Sequence, residues 1–191
     1  AQLGAAGLIA VRHGSGNVVR DYFEVGGPDL LPTLVALATD PGHWREVVED
    51  MLRVRRALAG AVLERLVGSM TPAKLKRVEA AVERFIEVAQ APGASAEEIL
   101  RADQRVGKEL LREAGPVLAL AANPIYRVLD ELPELGTAMF AQPELNIAGY
   151  RLLISCLKDR DPEVVQNLLT LLASLDEALL DRLQKPKRKK R

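Results

Sequence analysis

Between residues 29 and 183 the chain is cut by prolines and capping residues into segments whose apolar residues recur with a helical period. This punctuation constrains the fold most. Proline is tolerated in the first turn of a helix, where its missing N–H would lack a partner anyway, and it bends or ends a helix further in. Pro32 falls in the first turn of a helix over 29–39. A long helix over 43–70 carries Trp44, Val47, Val48, Met51, Leu58, Val62 and Leu66 on one stripe. Thr71 and Pro72 open the next, to about residue 90, where Pro92 and Gly93 end it. Ser95 and Glu98 form a capping box ahead of a helix to about residue 114. Pro116 starts a helix to about residue 137, with a bend expected at Pro124 or Pro133. Pro143 precedes a helix to residue 158, and Asp161 with Pro162 caps the last, to about residue 183.

The expected fold is therefore all-α, an antiparallel bundle of about six or seven helices with short connections. Composition agrees: aromatic residues make up 4% of the chain, whereas Leu, Ala, Val, Glu and Arg abound. At 191 residues and 48% hydrophobic, the chain can bury one main core. A single cysteine, Cys156, excludes an internal disulfide and points to a reducing compartment. No apolar run approaches a membrane span, and no secretory leader is visible.

Ahead of the helices lies a stretch of another kind, residues 7–21, GLIAVRHGSGNVVRD. Two short β-prone runs flank a turn containing Gly14 and Gly16, which predicts a hairpin. Arg12, His13 and Arg20 are its charged or titratable groups, and no acid precedes Asp21. A glycine tip with cationic flanks suits phosphates and a DNA minor groove; an ordinary surface hairpin is the competing reading. Residues 22–28, with Gly26 and Gly27, read as a linker. At the other end, residues 185–191, KPKRKKR, hold six of the 26 basic residues, leaving 20 basic against 26 acidic in 1–184. Such a tail is expected to be disordered and solvated, with a loose phosphate contact as the alternative.

Charges on apolar stripes mark candidate binding positions. At 100° per residue Arg55 falls on the face of Met51, Leu58 and Val62, with Arg53 and Arg56 pointing away. Asp103 lies within the stripe of Ile99, Val106 and Leu110, and Gly107, one turn on, leaves room on that face. Tyr150 sits among Ile147, Leu153, Ile154 and Leu157. An unpaired buried charge costs several kcal/mol, so each needs a partner. Two readings stay open: the charges pair with each other or with neighbours, or Arg55 meets an anionic ligand through its guanidinium fork. Tyr150 serves either core or ligand.

The order Leu3, Gly7, Leu8, Ile9, Arg12, Gly14, Gly16, Val19, Arg20, Asp21 resembles the end of the winged helix-turn-helix in GntR-type bacterial transcription regulators. Val54-Arg55-Arg56-Ala57-Leu58, Asp103-x-x-Val106-Gly107-x-x-Leu110, Ala114-Gly115-Pro116-Val117-Leu118 followed by Asn123, and the stretches 150–157 and 161–172 resemble the helical domain of the FadR subgroup. The resemblance implies residues 1–22 as the closing part of a DNA-binding domain whose recognition helix lies upstream, 23–28 as linker, 29–184 as an effector-binding and dimerisation domain, and 185–191 as a basic tail. It implies a homodimer on palindromic operator DNA in the bacterial cytoplasm, with no membrane partner. Arg12, His13, Gly14 and Gly16 would meet DNA. Arg55, Asp103, Asn123 and Tyr150 would meet a small anionic effector, a fatty acyl-coenzyme-A or another organic acid.

Many members of the subgroup hold a divalent metal through one aspartate and three histidines, and the matching positions here are Asp103, Gly107, Tyr150 and Leu172. Only the aspartate is kept, and the chain has just two histidines, His13 and His43, so no metal and no other cofactor are expected. An enzyme is disfavoured: Cys156 has no histidine near it in sequence, and there is no P-loop or Rossmann signature. A helical scaffold without ligand is the remaining alternative.

Overall fold

The structure is a computed structural model that describes residues 7–12, 16–38 and 40–183. It opens on an antiparallel hairpin, β1 (Ile9–Arg12) and β2 (Gly16–Val19), in the register Ile9↔Val19, Ala10↔Val18, Val11↔Asn17 and Arg12↔Gly16. Gly16 begins β2 at φ +85°, a left-handed conformation in which L side chains are strained. The linker holds one turn of helix, α1 (Tyr22–Val25), because the Asp21 carboxylate accepts from the Phe23 N–H at 2.9 Å. A 3₁₀ turn (Pro28–Leu30) leads into α2 (Leu31–Leu37).

The body continues as α3 (Pro41–Ser69), α4 (Pro72–Gln90), α5 (Ala96–Ala114), α6 (Pro116–Glu131), α7 (Pro133–Met139), α8 (Pro143–Asp159) and α9 (Pro162–Arg182). It is all-α. Six of these helices begin on a proline, as the punctuation demands. At three of these starts a side-chain cap takes one orphan donor: Asp40 accepts from His43 N–H at 3.0 Å, Thr71 from Lys74 N–H at 3.4 Å and Asp161 from Glu163 N–H at 2.9 Å. At α5 the capping box is complete, with Glu98 N–H to Ser95 Oγ at 3.2 Å and Ser95 N–H to Glu98 Oε2 at 2.8 Å.

One helix expected from Pro116 to about residue 137 is two. The break falls at Pro133, where Leu132 takes φ −122°, ψ 75°, outside the α region that a following proline disfavours. Pro124 stays inside α6. Its missing N–H deprives the Leu120 carbonyl, and Leu120 lies in a solvent-facing turn at 69% exposure, where water can take the bond.

Helix α3 is the axis of the body and packs against α2, α5, α6, α8 and α9. Its buried face contains Trp44, Val48, Met51, Leu52, Val62, Leu63, Leu66 and Val67. Phe85 of α4, Val106 of α5, Val128 of α6, Leu135 of α7, Leu157 of α8 and Leu179 of α9 complete one continuous core around it. Because α5, α6, α8 and α9 all contact the same helix, side chains halfway along α3 meet residues distant in sequence. None of the described helices is long and apolar enough to cross a membrane.

The capping box gives a direct check on this assembly. Ser95→Ala should cost about 1 kcal/mol, lowering the thermal midpoint by about 2–4 °C for a domain of this size, and far-UV circular dichroism should show unchanged helix content below the transition.

Candidate ligand cavity

Midway along α3 the core leaves a cavity of about 240 Å³, walled by α3, α5, α6, α7, α8 and α9. Most of its wall is leucine, valine, isoleucine and alanine. The polar groups are few: Arg55, Asp103, Tyr126, Asn146, Tyr150 and Asp176. An apolar chamber with a small set of convergent polar side chains is the usual form of a small-molecule site.

Arg55 lies on the inner face of α3, and its Nη2 donates to Asp176 Oδ1 of α9 at 2.6 Å. Arg56 also turns inward. Its Nη1 reaches the other oxygen, Asp176 Oδ2. Helical geometry alone directs Arg56 outward, but an arginine side chain is long enough to curl back toward a carboxylate that needs neutralising. Asp176 is 2% exposed, so the shared carboxylate is desolvated, while each guanidinium remains about a quarter exposed (side chains 25% and 26%). Arg55 Nε is buried without a hydrogen-bond partner. The polar end of the cavity thus has two cations on one anion and one donor still to be satisfied.

Asp103 takes a different partner. Tyr150 Oη donates to Asp103 Oδ1 at 2.5 Å, and the tyrosine ring stands edge-on to Phe85, centroids 4.8 Å apart. Burial raises the Asp103 pKa, and the Tyr150 hydrogen bond and the Arg55 charge pull it partly back. Tyr150 is pushed well above the usual phenol range by burial first and then by the adjacent carboxylate, so its proton is held on oxygen.

Gly107 has no room beside it. A Cβ there would lie 2.0 Å from Tyr126 Oη, so the space opened by the glycine is filled by that hydroxyl. Burial, and then the charge of Asp103, raise the Tyr126 pKa well above the phenol range. Asn123 is elsewhere: it lines an outer groove with Pro28, Asp29, Lys108, Leu120 and Arg127 and does not reach the cavity. Of the hairpin positions, Arg12 lies on β1 and Gly16 on β2, whereas His13 and Gly14, like the basic tail, fall outside the described residues. Cys156 is buried, and its thiol donates to the Asp161 carbonyl at 3.3 Å. Burial raises its pKa, the reverse of an activated nucleophile.

The solved structure of a *Streptococcus agalactiae* GntR protein is similar to this chain over 92% of its length and 77% of the other, at 18% identity and a TM-score of 0.58. That likeness shows the fold. No curated protein matches in sequence. The model of the FCD domain, the C-terminal domain of GntR-family regulators, matches residues 50–174. The chain belongs to the FCD-domain family. Regulators of this family bind operator DNA and sense small-molecule effectors through the FCD domain.

Within this FCD domain, Asp103, Gly107, Tyr150 and Leu172 converge on the one cavity. They do not suit a divalent cation: Gly107 is covered by a phenol, Leu172 offers no donor, and Asp103 is engaged by Tyr150. Among the described residues no three His, Cys, Asp or Glu side chains gather as a metal site.

Asp176, Tyr126 and Asn146 are the polar cavity residues that the sequence reading missed, and Asp176 carried a signal that could have found it. It interrupts the stripe of Val165, Leu168, Leu172 and Leu179 at helical spacing, the same signal that exposed Arg55 and Asp103.

Either arginine can hold Asp176 while the other is removed. Arg55→Ala and Arg56→Ala should each be tolerated in urea denaturation. The double variant leaves a buried carboxylate unpaired and should lose about 3–5 kcal/mol, more than the two single losses together.

Proposed function

We propose that the chain is a DNA-binding transcription regulator whose FCD domain takes a small anionic metabolite into the cavity beside Arg55 and thereby alters its affinity for operator DNA. The observation that carries this reading is the two-to-one meeting of Arg55 and Arg56 with Asp176 at the end of an apolar chamber. Arg55 Nε at that end is a buried donor without a partner. A carboxylate on the ligand would accept from it. The hydrocarbon part would lie among Leu58, Val62, Leu129 and Leu153. About 240 Å³ is at the small end for ligand pockets, which favours a short or medium organic acid, or the acyl part alone of an acyl-coenzyme-A thioester. Tyr150 and Asp103 would meet a second polar group on the ligand, and Asn123, in its outer groove, is set aside.

In the same reading, Arg12, His13, Gly14 and Gly16 of the hairpin approach DNA, supplying affinity through phosphates more than sequence choice. Two copies would sit on a palindromic operator, and ligand would shift the balance of conformations that set the spacing of the two heads. A ligand-free dimerisation scaffold is the second reading. Its support is that Arg55 and Asp103 both have protein partners.

Thermal melts against short and medium carboxylates, hydroxy acids, dicarboxylates and acyl-coenzyme-A thioesters decide between them. At about a hundred times its dissociation constant a true ligand adds about 2.7 kcal/mol, raising the midpoint by about 5–10 °C. Arg55→Ala should melt near the wild-type temperature and lose that rise. An unchanged rise in the variant would refute the role of Arg55, and no rise with any acid would favour the scaffold.

A further inference from the structure

The internal cavity and the outer groove lie on opposite sides of the α5–α6 seam. On α5, Gly107 faces the cavity and Lys108 the groove; on α6, Ala122 and Ile125 face the cavity, and Asn123 and Pro124 the groove. Among the described residues Tyr126 alone lines both. Its ring crosses the seam, and its hydroxyl rests where a side chain at position 107 would be, 2.0 Å from the Cβ position. The glycine is what allows the ring to lie there. The groove beyond offers Pro28, Leu120, Ala121 and Pro124 alongside the polar Asp29, Lys108, Asn123, Arg127 and Asp130. Removing the Tyr126 ring would therefore join two spaces that can both take hydrocarbon.

We propose that Tyr126 is the size limit of the effector site: a partition, seated on Gly107, that confines the ligand to the inner cavity and excludes acids too long to fit within it. This rests on the reading that an acid binds beside Arg55. Where the cavity meets the groove, the boundary is one half-buried side chain. On the groove side, the reach of a ligand is accordingly set by a single ring. The raised pKa of Tyr126 keeps the hydroxyl neutral, as a partition against an anionic ligand requires.

The test is the affinity of straight-chain carboxylates from butanoate to hexadecanoate, measured by calorimetry on the wild-type chain, Tyr126→Leu and Tyr126→Ala. Each methylene buried against apolar wall gains about fourfold in affinity. In the wild type that gain should stop once the cavity is filled. In Tyr126→Ala it should continue past the wild-type limit, by more than about tenfold over the next two methylenes, with Tyr126→Leu between. Ratios of long to short acids are read within one protein, so a general loss of stability does not imitate the effect, and Tyr126→Leu keeps apolar packing should the alanine variant fold poorly. The same length limit in all three proteins overturns the partition while leaving the acid site intact. Absence of binding by every acid to the wild type overturns the acid site and the partition with it.

Discussion

A buried carboxylate has to be neutralised where it sits, and in this protein that requirement fixes the centre of the molecule. Asp176 comes from the last helix and is met by Arg55 and Arg56 of α3, the helix that most of the others pack against. The clasp joins parts of the chain more than a hundred residues apart and registers α9 along α3. Losing both arginines is costly, because the desolvated Asp176 carboxylate is then left unpaired in the core. The cavity lies beside this polar contact, with Asp103 and Tyr150 in its wall.

The same arrangement gives the site its chemical sense. Two guanidiniums meet one carboxylate at one end of an apolar chamber, and the buried Arg55 Nε has a donor to offer. Gly107, Tyr150 and Leu172 line the same chamber, and the second tyrosine, Tyr126, moves into the room the glycine makes.

Much of the fold was legible because its signals are local. Ser95 with Glu98, Thr71 with Pro72 and Asp161 with Pro162 mark helix starts by satisfying orphan donors, and each start fell where those residues stand. The choice between Pro124 and Pro133 was not legible. It depends on whether the carbonyl a turn earlier can reach water, which is a property of the packed helix. The cavity residues Arg55, Asp103 and Tyr150 were found as polar residues on apolar faces. Asp176 carried the same signal and was overlooked. Arg56 could not be placed by periodicity, since a long flexible side chain follows its electrostatic partner more readily than the angle of its Cα–Cβ bond.

By itself, then, the sequence determined an all-α body behind a hairpin, most of the helix starts and the presence of charged groups on buried faces, because period, capping and proline chemistry act within a few residues. Only the tertiary structure decided which charges meet. Arg55 was free by sequence to pair with Asp103, and the packing of α9 on α3 gave it Asp176 instead, leaving Asp103 to Tyr150. Only the packing of α6 on α5 put Tyr126 over Gly107. Pairings across a core follow from distances between helices, and no local rule of the chain encodes those distances.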